Sequence, residues 1–160
     1  MPDMIDPSIP LRSFQDALSA ELLTLERGRI DPSIFVHIDN AGGKARFTYV
    51  QLEGETVAAF ATFVQNGYVD GRPNLATGYA VPEAYRNQGR AQSILQAGIV
   101  ELRNGFKGFP PFFVEAVINS KNFVSLRVAA AVLGGEPEEL VDSHSGEAAL
   151  RYARLFEPAS

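Results

Sequence analysis

The segment YAVPEAYRNQGRA at Tyr79–Ala91 decides the expected fold, because a strand gives way to a helix within it. Apolar residues over Leu75–Val81 predict the strand, and Pro82 ends it because proline cannot donate to a strand ladder. After a short polar loop, apolar side chains recur at helical spacing over Gly89–Arg103. The segment therefore predicts a strand, a loop of the form Arg86-x-x-Gly89-x-Ala91, and a long amphipathic helix.

This loop has the composition of an anion site. Small residues at Gly89 and Ala91 let a ligand approach the backbone closely. The first amides of the following helix lack intrahelical partners, and with the helix dipole they suit a pyrophosphate. Arg86 and Arg90 can add charge-assisted contacts. The alternative is an ordinary strand–loop–helix connection whose glycine serves only the turn, because such loops are common.

The segments on either side predict further helices and strands. Helical spacing predicts a helix over Ser13–Arg27, closed by Gly28, and another over Asn122–Leu133, closed by Gly134-Gly135. Ile34–Ile38 is apolar enough for either a short strand or a helical turn. Strands are predicted at Arg46–Leu52, Thr56–Gln65, Phe112–Ile118, Leu140–Asp142 and Ala149–Phe156.

Turn signals separate these strands. Glu53-Gly54-Glu55 predicts a hairpin turn, and Asn66-Gly67 and Asp70-Gly71 are strong turn dipeptides. The order is helix, antiparallel strands, helix, strand, helix, strands. This order indicates an α+β fold, with a mixed, largely antiparallel central sheet flanked by helices and one βαβ crossover. A length of 160 residues without a clean linker indicates a single domain over residues 1–160.

Charge and composition narrow the range of functions. With 14 basic and 19 acidic residues the net charge is −5, which argues against a nucleic-acid groove and mildly favours cationic partners. Because cysteine is absent and the two histidines are distant, neither a disulfide nor a metal site is expected. The N-terminal residues show no signal peptide, and no apolar run approaches ~18 residues. We therefore expect a cytoplasmic protein that does not span a membrane.

A second stretch follows at a matching distance. Ala116-Val117-Ile118 leads to Asn122-x-x-Ser125-x-x-Val128 and then to Leu133-Gly134-Gly135. Together with the loop Arg86-x-x-Gly89-x-Ala91, it resembles the GNAT superfamily of N-acyltransferases, whose cofactor motif reads Arg/Gln-x-x-Gly-x-Gly/Ala after a strand ending in Val-x-Pro. Here that strand ends in Ala80-Val81-Pro82, with alanine in place of the first valine. The resemblance covers roughly residues 45–156 and implies the acyl-CoA N-acyltransferase fold.

The resemblance also implies acetyl-CoA as co-substrate and assigns residues to it. Asn122 and Ser125 would lie beside the pantetheine arm, and Arg127 could meet the 3′-phosphate. The alternatives are helix capping for Asn122 and Ser125, and a solvated surface position for Arg127. Backbone groups at Ala80 and Val81 would contact the pantetheine arm. The pyrophosphate would bind the amides of Arg86, Asn87, Gln88, Gly89, Arg90 and Ala91.

The sequence departs from the family's pattern at both usual proton carriers. Many relatives place a tyrosine at the position of Ala129 and a glutamate in the region of Asn74–Thr77. The predicted catalytic substitutes are Glu115, inside an apolar strand, and Tyr79, on the strand that precedes the loop. A buried carboxylate can act as a base, and a phenol can donate a proton. The alternatives are an exposed strand face or an arginine ion pair for Glu115, and core packing for Tyr79.

The resemblance implies direct transfer of an acetyl group to a primary amine of a small molecule or peptide. A backbone amide near Val81 would polarise the thioester carbonyl. Residues that bind the acceptor are expected from the N-terminal helix region and the last hairpin. Two alternatives stay open: a binding module that keeps the acyl-CoA pocket without turnover, and a structural protein that keeps only the scaffold. A homodimer is also left open.

Overall fold

The computed structural model describes residues 6–160. No helix in this range is long and apolar enough to cross a membrane. The first five residues, which contribute to the expectation that there is no signal peptide, lie outside the described residues. In chain order the elements are α1 (Ser8–Ser19), β1 (Glu26–Arg27), β2 (Ile34–Ala41), β3 (Lys44–Glu53), β4 (Thr56–Val69), β5 (Arg72–Ala80), a 3-10 turn (Glu83–Tyr85), α2 (Arg90–Gly105), β6 (Phe112–Asn119), α3 (Phe123–Val132), β7 (Glu138–Val141) and β8 (Ala148–Phe156).

The strands join in one sheet in the order β1-β2-β3-β4-β5-β6-β8-β7. Neighbouring strands are antiparallel except β5 and β6, which are parallel and connected through α2. Helix α1 packs on one face of the sheet, and α2 and α3 pack on the other. The predicted fold class, including the single βαβ crossover, is therefore confirmed. That residues 1–160 form one domain stays a prediction.

The parallel strands β5 and β6 separate after a short paired stretch. Their register joins Asn74–Ala76 only to Phe113–Glu115. β5 nevertheless stays paired with β4 as far as Ala80, and β6 stays paired with β8 as far as Asn119. The facing edges of residues 77–80 and 116–119 are therefore open, because each strand is held only from its outer side.

Alternating side chains separate two apolar cores. Phe63 of β4 and Tyr79 of β5 face α2 and α3, whereas Phe60 of β4 faces α1. Helix α2 packs closely on β4 at Gly98, where a Cβ would lie 2.8 Å from Cε2 and 3.2 Å from Cζ of Phe63. Because Gly98 has no side chain, α2 can lie directly on the sheet, and this contact sets the position of the loop that precedes the helix.

The prediction of the first helix over Ser13–Arg27 is wrong at both ends, since α1 begins and ends earlier. The carboxylate of Asp6 accepts hydrogen bonds from the backbone N–H (3.0 Å) and the hydroxyl (2.8 Å) of Ser8, which stabilises the helix start there. After α1 the chain turns at Glu21, which takes a left-handed φ of 57°. Leu22, which helical spacing places on the buried side, is 79% exposed.

Two further expectations are corrected. The dipeptide Asn66-Gly67 does not end β4; the register with β5 shifts between Gln65 and Tyr68, and a bulge lets the strand continue. The hairpin turn lies at Asp70-Gly71, the second turn dipeptide. Of the two readings of Ile34–Ile38, the strand is correct, because antiparallel pairing with β3 supplies its backbone partners.

Replacing Gly98 should destabilise the fold. Gly98→Ala is expected to lower the free energy of unfolding by about 1–3 kcal/mol, because the added methyl group overlaps the Phe63 ring. Urea denaturation followed by circular dichroism measures this change. Gly105→Ala is the matched control on the same helix, where a Cβ meets nothing within 4 Å, and it should change stability by at most about 1 kcal/mol. Equal stability of both variants would contradict the close packing of α2 on β4.

Candidate functional site

Two cavities lie on opposite faces of the sheet beside the separated strands. The loop cavity, about 670 Å³, lies between the loop before α2 and the start of α3. The sheet cavity, about 560 Å³, lies on the face that carries α1. The loop cavity is lined by Asp6, Pro7, Ser8, Tyr79, Ala80, Val81, Tyr85, Arg86, Asn87, Gly89, Arg90, Ala91, Gln92, Asn122, Val124, Ser125, Arg127 and Val128. The sheet cavity includes Asp6, Pro7, Pro10, Arg46, Thr62, Gly78, Tyr79, Glu115, Asn119, Asn122, Ser125, Ser145 and Glu147.

The two cavities share a rim. Asp6, Pro7, Tyr79, Asn122 and Ser125 line both of them. These residues come from the segment before α1, the open part of β5, and the start of α3. The cavities therefore adjoin where β5 and β6 separate.

The structure brings nine of the ten predicted cofactor residues to the loop cavity. The exception is Gln88, whose side-chain oxygen accepts a hydrogen bond from Nε of Arg90 at 3.0 Å. Gly89 takes a left-handed φ of 71° at the N-cap of α2, and Asn87 has a φ of 63°. The first helical bond runs from Ser93 N–H to the Gly89 carbonyl at 3.0 Å. The amides of residues 90–92 precede it, which is the arrangement that binds anions at helix starts.

The two arginines of the loop have side-chain partners of their own. Nε of Arg86 donates to the Val81 carbonyl at 3.0 Å. Arg90 pairs with the Glu53 carboxylate at 2.7 Å and lies over the Tyr85 ring, 5.2 Å from its centroid. The side chain of Arg90 therefore links the loop to β3. The backbone N–H of Arg90 lies in the first turn of α2, and it is this group that faces the loop cavity.

Asn122 and Ser125 combine capping with a place in the site. The side-chain oxygen of Asn122 accepts from Ser125 N–H at 3.2 Å, so the capping interpretation is correct. Both residues also line both cavities. Arg127, one turn further, is exposed and lines the loop cavity, so it stands where a cation would meet an anionic ligand.

Tyr79 belongs to the core and also reaches the shared rim. It is 6% exposed and packs among the residues beneath α2 and α3. Its hydroxyl donates to the Ser125 carbonyl at 2.6 Å. Burial raises the pKa of the Tyr79 hydroxyl, and a hydrogen bond with the backbone of Ala129 opposes that effect only in part. The group therefore stays protonated at neutral pH, and its action as a proton donor in catalysis stays a prediction.

Glu115 lies in the wall of the sheet cavity at the last paired position before the strands separate. It is 2% exposed, so the exposed alternative is excluded. One carboxylate oxygen accepts from the amides of Asn66 (2.7 Å) and Asn74 (2.8 Å), and the other accepts from Nε of Arg151. The alternative of an ion pair with an arginine is therefore the observed contact, and action as a base stays a prediction.

The two regions expected to bind the acceptor, the N-terminal helix region and the last hairpin, both line the sheet cavity. They contribute Asp6, which precedes α1, and Glu147. Hydrogen bonds from Ser8 lower the pKa of Asp6, so its carboxylate is charged. Sequence reasoning missed both residues as site members. The Asp6-Pro7 dipeptide, a common helix-start signal, could have placed the beginning of α1 and hence this wall.

Other charged and titratable groups lie outside this arrangement. His37 directs Nδ1 to the Thr24 carbonyl at 3.1 Å and packs beside Phe14. Among residues 6–160 no three side chains of His, Cys, Asp or Glu gather to hold a metal ion. That the protein uses no metal stays a prediction from the sequence.

Solved structures share this fold. No protein-family model matches the chain, and a comparison with curated protein sequences finds no match. A structure of RimL, a ribosomal L7/L12 alpha-N-protein acetyltransferase in complex with coenzyme A, aligns with a TM-score of 0.55 and 18% identity over 71% of this chain. Mycobacterium smegmatis RimJ in complex with CoA-disulfide aligns with a TM-score of 0.56 and 20% identity, also over 71%. A GNAT-family acetyltransferase from Streptococcus pneumoniae aligns with a TM-score of 0.53 and 10% identity over 69%.

The chain thus has the fold of the GNAT acetyltransferases, and the resemblance read from its two motifs is confirmed at the level of the fold. The aligned region spans 64% of the RimL chain, 54% of the RimJ chain and 67% of the Streptococcus pneumoniae chain. Parts of RimL and RimJ therefore have no counterpart in this alignment.

The ion pair of Glu115 should be essential for stability. Arg151→Met is expected to lower the free energy of unfolding by about 3 kcal/mol, because it leaves a carboxylate buried without its cation. Arg46→Met is the matched control, since Arg46 pairs with Asp39 where both side chains are about one-third exposed, and it should cost at most about 1 kcal/mol. Chemical denaturation of both variants measures the difference. Equal losses would show that the buried pair of Arg151 with Glu115 contributes no more to stability than the exposed pair of Arg46 with Asp39.

Proposed function

We propose that the protein is an acetyl-CoA-dependent N-acetyltransferase, and that it transfers the acetyl group by direct attack of a primary amine of a small molecule or peptide. One observation carries the proposal: two cavities on opposite faces of the sheet meet at the open edges of β5 and β6. A donor on one face and an acceptor on the other can then bring their reacting atoms together, and proximity supplies much of the rate.

The loop cavity fits the donor. At the start of α2, the backbone amides that follow the left-handed Gly89 have no partner within the helix. A Cβ built at Gly89 would meet nothing within 4 Å, so a ligand can approach this backbone freely. Arg86 and Arg127 add positive charge along the same cavity. A helix start with nearby guanidinium groups is suited to a pyrophosphate and a further phosphate. Ala80 and Val81 lie beside the gap, where the pantetheine arm would pass.

Bound acetyl-CoA would supply an activated thioester, on which the amine forms a C–N bond while the C–S bond breaks, so no covalent enzyme intermediate is needed. A backbone amide near Val81 would polarise the carbonyl. Tyr79 is the candidate proton donor for the departing thiolate, because its hydroxyl stands at the rim shared by both cavities and stays protonated. It reaches the same turn of α3 as Ala129, the position that a tyrosine fills in many members of the family.

Glu115 is the candidate base on the acceptor side. It lies at the point where the strands separate, and it lines the sheet cavity. Its carboxylate accepts hydrogen bonds from three fixed donors, and in the cavity wall it would attract the incoming ammonium group and orient a water that carries the proton away. A water relay suffices here, because the base has only to keep the amine neutral for attack.

The sheet cavity fits a cationic acceptor. Asp6, Glu115 and Glu147 line it together with Arg46. Asp39 pairs with Arg46 and Arg151 pairs with Glu115, so Asp6 and Glu147 are the acids that remain to balance an incoming cation. This balance agrees with the net charge of −5 and favours an amine that arrives protonated over a polyanion such as nucleic acid. Glu53, Glu55 and Asp70 are further acids of the chain, but they line neither cavity.

A non-catalytic module that binds acyl-CoA is the second candidate function. The observation that favours it is the alanine at position 129, which is fully buried and carries no proton donor. A cytoplasmic location and a homodimer also stay predictions. Turnover against a panel of cationic, neutral and anionic amines separates enzyme from module, since the thiol released from acetyl-CoA can be followed by its reaction with a chromogenic disulfide.

Charge at position 89 should control the affinity for the donor. Asn and Asp both tolerate a left-handed φ, so Gly89→Asn and Gly89→Asp form a matched pair that differs in charge. The Asp variant should bind acetyl-CoA at least about tenfold more weakly than the Asn variant, because its carboxylate repels the phosphates. Titration calorimetry measures both affinities. Equal affinities would place the pyrophosphate elsewhere.

Removing the Tyr79 hydroxyl should slow transfer without weakening donor binding. Tyr79→Phe is expected to lower kcat by about 10²-fold, and by no more than the about 10⁴-fold typical of one acid–base group. Because the pKa of Tyr79 is raised, the hydroxyl stays protonated as the pH rises, and activity in the unmodified protein should increase with pH as the amine loses its proton. Unchanged kcat in the variant would remove Tyr79 from the chemistry.

A further inference from the structure

A proline and a glycine are packed together at the centre of the site. A Cβ built on Gly78 would lie 3.5 Å from Cγ and 3.8 Å from Cβ of Pro7, and 3.8 Å from the hydroxyl oxygen of Thr62. These are ordinary van der Waals distances for an atom bonded to the Gly78 Cα. A separate chain, which must keep its own distance from that Cα, does not fit between Gly78 and the proline ring.

This contact stands beside the place where the reacting atoms would meet. Gly78 belongs to the stretch of β5 whose inner edge is open, and it faces the sheet cavity. Its neighbour Tyr79 lines both cavities, as does Pro7. A group that emerges through the gap from the loop cavity therefore meets the Pro7 ring if it turns along β5.

Pro7 is held firmly in this position. Its carbonyl accepts the first backbone bond of α1 from Leu11 at 3.2 Å, and Leu11 is buried against Phe60 and neighbours. One turn further, the side-chain oxygen of Gln15 accepts from Val57 N–H at 2.6 Å. The helix is thus tied to the sheet at two levels, and the proline ring at its start cannot move aside without disturbing both.

We propose that Pro7, packed on Gly78, limits the length of the acyl group that the protein transfers, so that acetyl is accepted and longer linear acyl groups are rejected. The inference rests on the proposed acyl transfer and adds its donor specificity. One methylene group too many in a closed apolar pocket typically costs about 10–200-fold in kcat/KM, so a single ring at this point is sufficient for the selection.

The test compares acetyl-, propionyl- and butyryl-CoA with one amine acceptor. Pro7→Ala removes the nearest ring atoms and should raise the ratio of kcat/KM for butyryl-CoA over acetyl-CoA about tenfold. Gly78→Ala adds a methyl group at this contact without strain and should lower that ratio, because the methyl group reduces the space open to a chain that passes beside the Pro7 ring. Pro10→Ala is the matched control: it removes a second proline ring of the same helix that lines the sheet cavity but is not among the atoms nearest to Gly78, and it should leave the ratio unchanged.

The outcomes are distinguishable. An unchanged ratio in both Pro7→Ala and Gly78→Ala, with acetyl transfer intact, would overturn the inference and leave the proposed function in place. A shift of equal size in Pro10→Ala would also overturn it, because the effect would then belong to the helix as a whole. If Pro7→Ala does not fold, Gly78→Ala carries the test alone. Failure of the unmodified protein to bind or turn over any acyl-CoA would overturn the proposed function, and the inference with it.

Discussion

The short parallel pairing of β5 with β6 is the interaction on which the rest of the site depends. Three residues on each strand are paired, and then the strands part although both remain bonded on their outer sides. Open backbone groups inside a sheet must find other partners, since a buried and unpaired N–H or C=O costs free energy. A ligand arm that lies in the gap can supply those partners. The separation of β5 from β6 therefore leaves both a space and free backbone groups for a ligand.

Two helices bring their N-termini to this gap from opposite faces. α2 rests on β4 because Gly98 leaves room for Phe63, and this places the Gly89 turn over the loop cavity. α1 is tied to the other face through Leu11, and this places Pro7 on β5. The close packing of each helix on the sheet is therefore also what defines the two walls of the site.

The buried charge of the site is also held in place by residues from neighbouring strands. Glu115 sits at the apex of the gap, and Arg151 on β8 together with the amides of Asn66 and Asn74 satisfies its carboxylate. The bulge in β4 directs Asn66 to this cluster. A carboxylate held by fixed donors needs little reorganisation when a cation approaches, which is the property that electrostatic stabilisation in a site requires.

Local patterns in the sequence were sufficient for much of this architecture. Helical and alternating spacing predicted α2, α3 and the central strands, and the loop motif predicted the turn at Gly89, because helices, strands and tight turns depend on residues close in the chain. The two motifs, taken together, also predicted the fold to which the solved structures are similar.

The tertiary structure decided the rest, because the deciding partners are distant in sequence. Glu115 meets Arg151, 36 residues away, and Tyr79 meets Ser125, 46 residues away. The apolar spacing of the first helix was equally compatible with a later start, and only the hydrogen bonds of Asp6 and the packing of Leu11 determine where α1 begins. The sequence by itself therefore determined most of the elements and the loop that precedes α2. Only folding could decide which side chains face each other across the gap, since that depends on long-range packing and not on local periodicity.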